Sequence, residues 1–171
     1  MYIVKDAEEI TSKVVDFRKE NRLDEAETIL RDAIRSDDRA WQLWNQLGHV
    51  LVTTGDLSGA AAAFEAAIKL NPNGFWLWLS LGYTRKQLNQ LDGAISATLK
   101  ATELGSQPNE IGSALYNLGC YNCLAGKHDE VIEYIDRAIN LDSNIREWAR
   151  EDSDLTSLQD DERFAKLMMD K

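Results

Sequence analysis

Turn-forming residues are scarce in this chain: of 171 residues, 2 are proline and 10 are glycine. A sandwich or barrel of many short strands needs turn signals at close, regular spacing, so that class is excluded. Long apolar runs are missing too, and none approaches the roughly 18 residues that a membrane span requires. Two cysteines are too few for a disulfide framework. Positive charge is also short. There are 19 Lys and Arg against 29 Asp and Glu, giving a net charge of -10 and a pI near 4.7. Such a chain repels polyanions on average, which sets nucleic acid and anionic membranes aside as partners. The opening residues turn acidic too early for a secretory leader, so the expected setting is cytoplasmic. What is abundant is leucine (21) and alanine (18), both strong helix formers. The length suits one domain or one short array of repeats.

Self-similarity decides between these. Leu47-Gly48 recurs as Leu81-Gly82 and again as Leu118-Gly119. Trp44 and Trp78 each lie three residues before the first two pairs. Ala26, Ala60 and Ala94 share one period, as do Ala33, Ala67 and Ala101, with Leu23, Leu57 and Leu91 as a third ladder. Each period reads as two amphipathic helices. Trp44, Leu47, Gly48 and Leu51 form one face, and Leu57, Ala60, Phe64, Ala67 and Ile68 form the next. Thr54-Gly55-Asp56 turns the chain inside a pair, and Asn71-Pro72-Asn73-Gly74 ends it. Gly48 and Ala60 let the two helices approach closely, and Phe64 fills the space they leave.

This pattern resembles the tetratricopeptide repeat. The resemblance is fullest over residues 41–74, through Trp44, Leu47, Gly48, Ala60, Phe64, Ala67 and Pro72. Residues 75–108 match with three departures: Arg85 where the family prefers an aromatic, Thr98 for the large Phe, and the proline displaced to Pro108. Residues 7–40 and 112–145 match more weakly, and the extra residues fall in the stretch from Gly105 to Ser113. The resemblance implies an all-α, right-handed α-solenoid of about four helix-turn-helix repeats in a single domain. Residues 146–171 are similar to the endings of bacterial repeat arrays and are expected to form a short helical cap. Ile145, Trp148 and Ala149 would supply one apolar face of it, Leu155 and Leu158 a second, and Phe164, Leu167 and Met168 a third. Asp152, Asp154, Asp160, Asp161 and Glu162 would supply the polar outer side that a solenoid end needs. At the other end, Asp6 and Glu9 have the spacing of a capping box for the first helix, with Ile10, Val14 and Phe17 facing inward.

In such an array the first helix of each pair faces the concave groove. The offset from the core positions places Asn45, His49, Trp76, Leu79, Tyr83, Lys86, Tyr116 and Cys120 there. Trp76, Leu79 and Tyr83 lie on a face that Trp78 and Leu81 do not use, so an aromatic-lined groove for a peptide or helix is expected. Some family members grip a terminal carboxylate with Lys, Asn and Arg. The matching positions here, Thr11, Val15, Gln46, Trp76 and Ser80, hold no cation, so that grip is not expected.

Cys120-x-x-Cys123 and His128 invite a metal reading, but zinc wants four ligands and the remaining histidine, His49, lies two repeats away. A redox motif would need a strand before the helix. No phosphate loop or nucleophile–base arrangement stands out. The expectation is a non-enzymatic interaction scaffold without metal or cofactor, binding a protein or peptide partner. The second class is a chaperone-like or self-assembling protein, with Trp41 and Phe75 as contacts for a homo-oligomer.

Overall fold

The computed structural model describes residues 7–169, and those residues form an all-α, right-handed solenoid. Eight helices stack as four antiparallel pairs: α1 (Ala7–Lys19) with α2 (Leu23–Ser36), α3 (Trp41–Thr54) with α4 (Leu57–Leu70), α5 (Phe75–Gln87) with α6 (Leu91–Leu104), and α7 (Pro108–Leu124) with α8 (His128–Leu141). The tail adds α9 (Ile145–Glu151), a 3-10 helix at Ser153–Leu158, and α10 (Glu162–Met168). The capping box expected at Asp6 and Glu9 falls on Asp6, which lies outside the described residues. Ile10 and Val14 are buried as their spacing requires, and Phe17 is half-buried.

The turn inside each pair is closed by one residue in the left-handed region: Asn21 (φ 58°), Gly55 (φ 88°), Asn89 (φ 58°) and Gly126 (φ 75°). Glycine adopts this conformation without a Cβ clash, and asparagine is the side chain that tolerates it best. These four positions follow the repeat spacing and make a further ladder. In the second pair, Asp56 continues the turn by accepting the backbone N–H of Gly59 at 2.9 Å, which starts α4.

Small residues set the distance within a pair. A Cβ placed on Gly48 would lie 2.6 Å from the Phe64 ring, and one on Gly119 would lie 2.5 Å from Ile135. Thr98 fits against Gly82 in the third pair, where its hydroxyl donates to the carbonyl of Ala94 at 2.9 Å. The two tryptophans also do the same work one period apart. The indole N–H of Trp44 donates to the Asp38 carbonyl and that of Trp78 to the Pro72 carbonyl, each at 2.8 Å. Each ties its helix to the loop that precedes it. Arg85, the departure from an aromatic, reaches Glu65 on α4 at 2.8 Å. Pro108 sits in the first turn of α7, where it removes no helical hydrogen bond, and Glu110 accepts the backbone N–H of Ser106 and Gln107. The extra residues thus lengthen α7 to 17 residues.

One expectation for a self-association surface is corrected. Phe75 is buried against Leu79, Ala101 and Ala114, because α6 and α7 close over the start of α5. Trp41 is half-buried against the core of the first two pairs. Phe75 therefore offers no open contact, while Trp41 keeps part of its surface exposed. Among the described residues no helix is long and apolar enough to cross a membrane.

Candidate partner-binding groove

The first helices of the pairs, α1, α3, α5 and α7, line the concave side. The residues expected there divide into two halves with different fates.

Among the described residues nothing covers the half between α3 and α5. Trp76 is 58% exposed and Tyr83 is 48% exposed, and they flank a hollow of about 300 Å³. His49, Val52, Ser80 and Asn117 complete its wall. Leu79, expected as a third projecting anchor, is 9% exposed and forms the floor instead. The reason is that α7 packs over it, a contact the helix's own pair does not reveal. His49 stands edge-on to Phe64, with ring centroids 5.1 Å apart and planes at 76°. Burial, and secondarily the charge of Arg18, hold its pKa below the ordinary value, so it faces the groove as a neutral ring. Asn45 lies deeper, half-buried, with its side-chain oxygen shielded and without a hydrogen-bond partner.

The half between α5 and α7 is filled by the chain's own tail. After α9 the backbone extends at Asp152 and the 3-10 helix runs across α7. The Tyr116 hydroxyl donates to the Asp152 carboxylate, and the Cys120 thiol lies 3.5 Å from the same carboxylate. The Lys86 ammonium pairs with Asp154 at 2.7 Å. Cys123 Sγ is 3.2 Å from the Ser157 hydroxyl, which in turn meets the His128 ring at 3.3 Å. Leu155 and Leu158 are fully buried beneath this layer. Lys86, Tyr116 and Cys120 are therefore groove residues, as their register implies, but they are already engaged.

This corrects the expected role of the tail acids. Asp160 and Glu162 are exposed at the end of the array. Asp152 and Asp154 instead turn inward, because two leucines three residues apart on a tight 3-10 turn anchor the segment against α7 and carry the acids that precede them with it. Trp148, expected on the apolar face of α9 with Ile145 and Ala149, is 49% exposed and stands edge-on to Tyr116. Ile145 and Ala149 are buried.

Burial above all, with the Asp152 charge, raises the pKa of the Cys120 thiol, and burial with the same neighbours raises that of the Tyr116 phenol. Both stay protonated and act as donors. For Lys86, burial works against the charge, but the hydrogen bond and charge of Asp154 outweigh it and the pKa is raised. Cys120 and the carboxylates of Asp152 and Asp154 lie within 4.8 Å of one another, close enough to hold a cation. The Lys86 ammonium occupies that electrostatic role, and the thiol is in its poorly ligating neutral form. Asp152, Asp154, Ser157 and Trp148 are the groove residues that sequence reasoning missed. The signal was an Asp-x-Asp-Leu-x-x-Leu run after a short helix, but nothing in its spacing states that it folds back onto α7.

The comparisons with known proteins agree with this architecture. The family model for the tetratricopeptide repeat matches residues 12–75 and 45–111. A crystal structure of MamA superposes with a TM-score of 0.77 at 18% identity, covering 90% of this chain and 88% of that one. YrrB, described as a TPR protein with an unusual peptide-binding site, superposes with a TM-score of 0.75 at 20% identity, covering 95% and 82%. No curated protein matches in sequence. With its repeat ladders, its paired helices and a family match over more than half its length, the chain belongs to the tetratricopeptide repeat family.

Proposed function

We propose that this chain is a non-enzymatic scaffold that receives a peptide or helix of a partner protein in the open half of its concave groove. The observation that carries the reading is the pair Trp76 and Tyr83, half-exposed on the concave face beside a hollow with an apolar floor. Large aromatic side chains left open around a preformed hollow supply buried contact area at little ordering cost to the receptor. The neutral His49 and the amide of Asn117 offer polar contacts beside them. The YrrB description names a peptide-binding site on the same fold, which supports the same class of occupant here.

The test uses peptides selected from a random library against the full chain. Trp76→Ala and Tyr83→Ala should each weaken the selected peptides by about tenfold or more, the size expected of an aromatic anchor. Helical content and melting temperature should hold, because both side chains are half in solvent. Peptide affinity unchanged in both variants would overturn the reading. Loss of the fold in either would show that these residues are core.

A further inference from the structure

The tail segment 152–158 lies in the groove as a bound peptide would, and its contacts describe the chemistry of the place it occupies. Two mid-chain carboxylates meet a phenol, a thiol and one ammonium, contributed by α5 and α7. The segment's two leucines are buried in the apolar cluster that α7 and α8 form with the cap, among Leu118, Ile135, Ile145 and Phe164. The side chains of Lys86 and Asp154 are each less than a third exposed, so their attraction is screened less than that of a surface pair. The segment is joined to α9 through one extended residue, Asp152. Its charged contacts are directed at α5 and α7 and not at the cap helices. Arg146 and Arg150 hold the far end of the tail separately, through the carbonyls of Leu167 and Met168.

We propose that residues 152–158 are a strap that fills, in cis, a docking site for an acidic-aliphatic segment of a partner, so that strap and partner exclude one another. The recognised pattern is internal: carboxylates two residues apart, followed by leucines three apart. It differs from the grip on a chain terminus, since the groups that hold it are Lys86, Tyr116 and Cys120, and no free C-terminal carboxylate takes part. The strap leaves the Trp76 hollow open and closes the adjoining half, so a partner that spans the whole groove must displace it. This rests on the concave groove being the binding face.

The chain's only two cysteines, Cys120 and Cys123, are buried beneath the strap and report its position. In the full chain, reaction of these thiols with a thiol-specific dye should proceed by local opening, at a rate insensitive to low urea. Asp152→Asn with Asp154→Asn removes the charged contacts and, read at Cys123, whose contact in the strap is Ser157 and neither carboxylate, should speed the reaction at least about tenfold, in line with hydrogen bonds to charged groups. A peptide of this chain's residues 151–160, blocked at both ends, should slow it again when added in trans. Ser157→Cys, oxidised onto Cys123, should lock the strap and abolish binding of that peptide, and reduction should restore it.

Thiols that react only where the helices unfold would overturn the proposal, since the strap would then be fixed core. So would a double variant no more reactive than the parent, or undiminished peptide binding to the locked form. If the double variant fails to fold, the locked and parent chains alone still decide. None of these readouts involves Trp76 or Tyr83, so the open-groove reading stands or falls on its own test.

Discussion

Gly48→Ala isolates the close approach on which each helix pair depends. The added methyl would lie 2.6, 2.8 and 2.8 Å from three ring carbons of Phe64, where ordinary carbon contacts fall at about 3.5–4.0 Å. Relief requires the ring to retreat by about 1 Å. Phe64 is fully buried, and its ring carries His49 edge-on at 5.1 Å. The ring therefore cannot retreat without disturbing the groove wall. Overpacking of this kind costs about 1–3 kcal/mol, and alanine recovers about 1 kcal/mol of helix propensity over glycine. Because the clash is with a fully buried ring, the upper part of that range, about 2–3 kcal/mol, applies, and the net expectation is a loss of about 1–2 kcal/mol, which for a chain of this size lowers the melting temperature by about 2–8 °C. Urea unfolding followed by circular dichroism measures it. The partner change Phe64→Leu tests the cause, because the double variant should recover at least about 1 kcal/mol relative to additivity. A Gly48→Ala chain as stable as the parent, or strictly additive effects, would refute the assignment of Gly48 as a packing position against Phe64.

Trp78→Phe should cost about 1 kcal/mol through the indole bond to the Pro72 carbonyl, with the ring's packing largely kept. Trp44→Phe should cost a similar amount through Asp38, and a thermal melt showing no change in either would remove the loop-tethering role. His49 gives a pH dependence. Burial holds its folded pKa below the ordinary value near 6.5. The unfolded chain therefore takes up a proton first as pH falls. Stability should be full above about pH 6.5 and decline as pH drops through the folded pKa. In His49→Gln that component of the pH–stability curve should vanish, and an unchanged curve between pH 7 and 5 would count against a buried neutral imidazole.

The fold was legible because its physics is local and periodic. Leu47-Gly48 and its two repeats, the alanine ladders and the paired tryptophans each report a constraint inside one helix pair, and each pair repeats it. Of the four residues with positive φ, Asn21, Gly55, Asn89 and Gly126, only Gly55 was read as a turn from the sequence, because single asparagines and glycines in short turns carry a weaker signal than the packing ladders. The groove register also followed from helical spacing, which put Trp76 and Tyr83 on the concave side. Contacts between elements distant in the chain were harder to read. Leu79 has the spacing of a projecting anchor, yet it is floor, because a helix some thirty residues later closes on it. Phe75 is hidden for the same reason.

The sequence by itself determined the helices and the stacking period, since these follow from periodicities of 3.6 and about 34 residues, and the resemblance to the repeat family supplied the expectation that the first helix of each pair faces the groove. Only the tertiary structure decided how much of that face is free. The tail leaves the repeat after α8, and from there no periodicity constrains its path. Its course is set by where Leu155 and Leu158 find an apolar surface and where Asp152 and Asp154 find donors. Both lie on the concave side, at Lys86, Tyr116 and Cys120, and so one half of the groove is closed while the half at Trp76 and Tyr83 stays open.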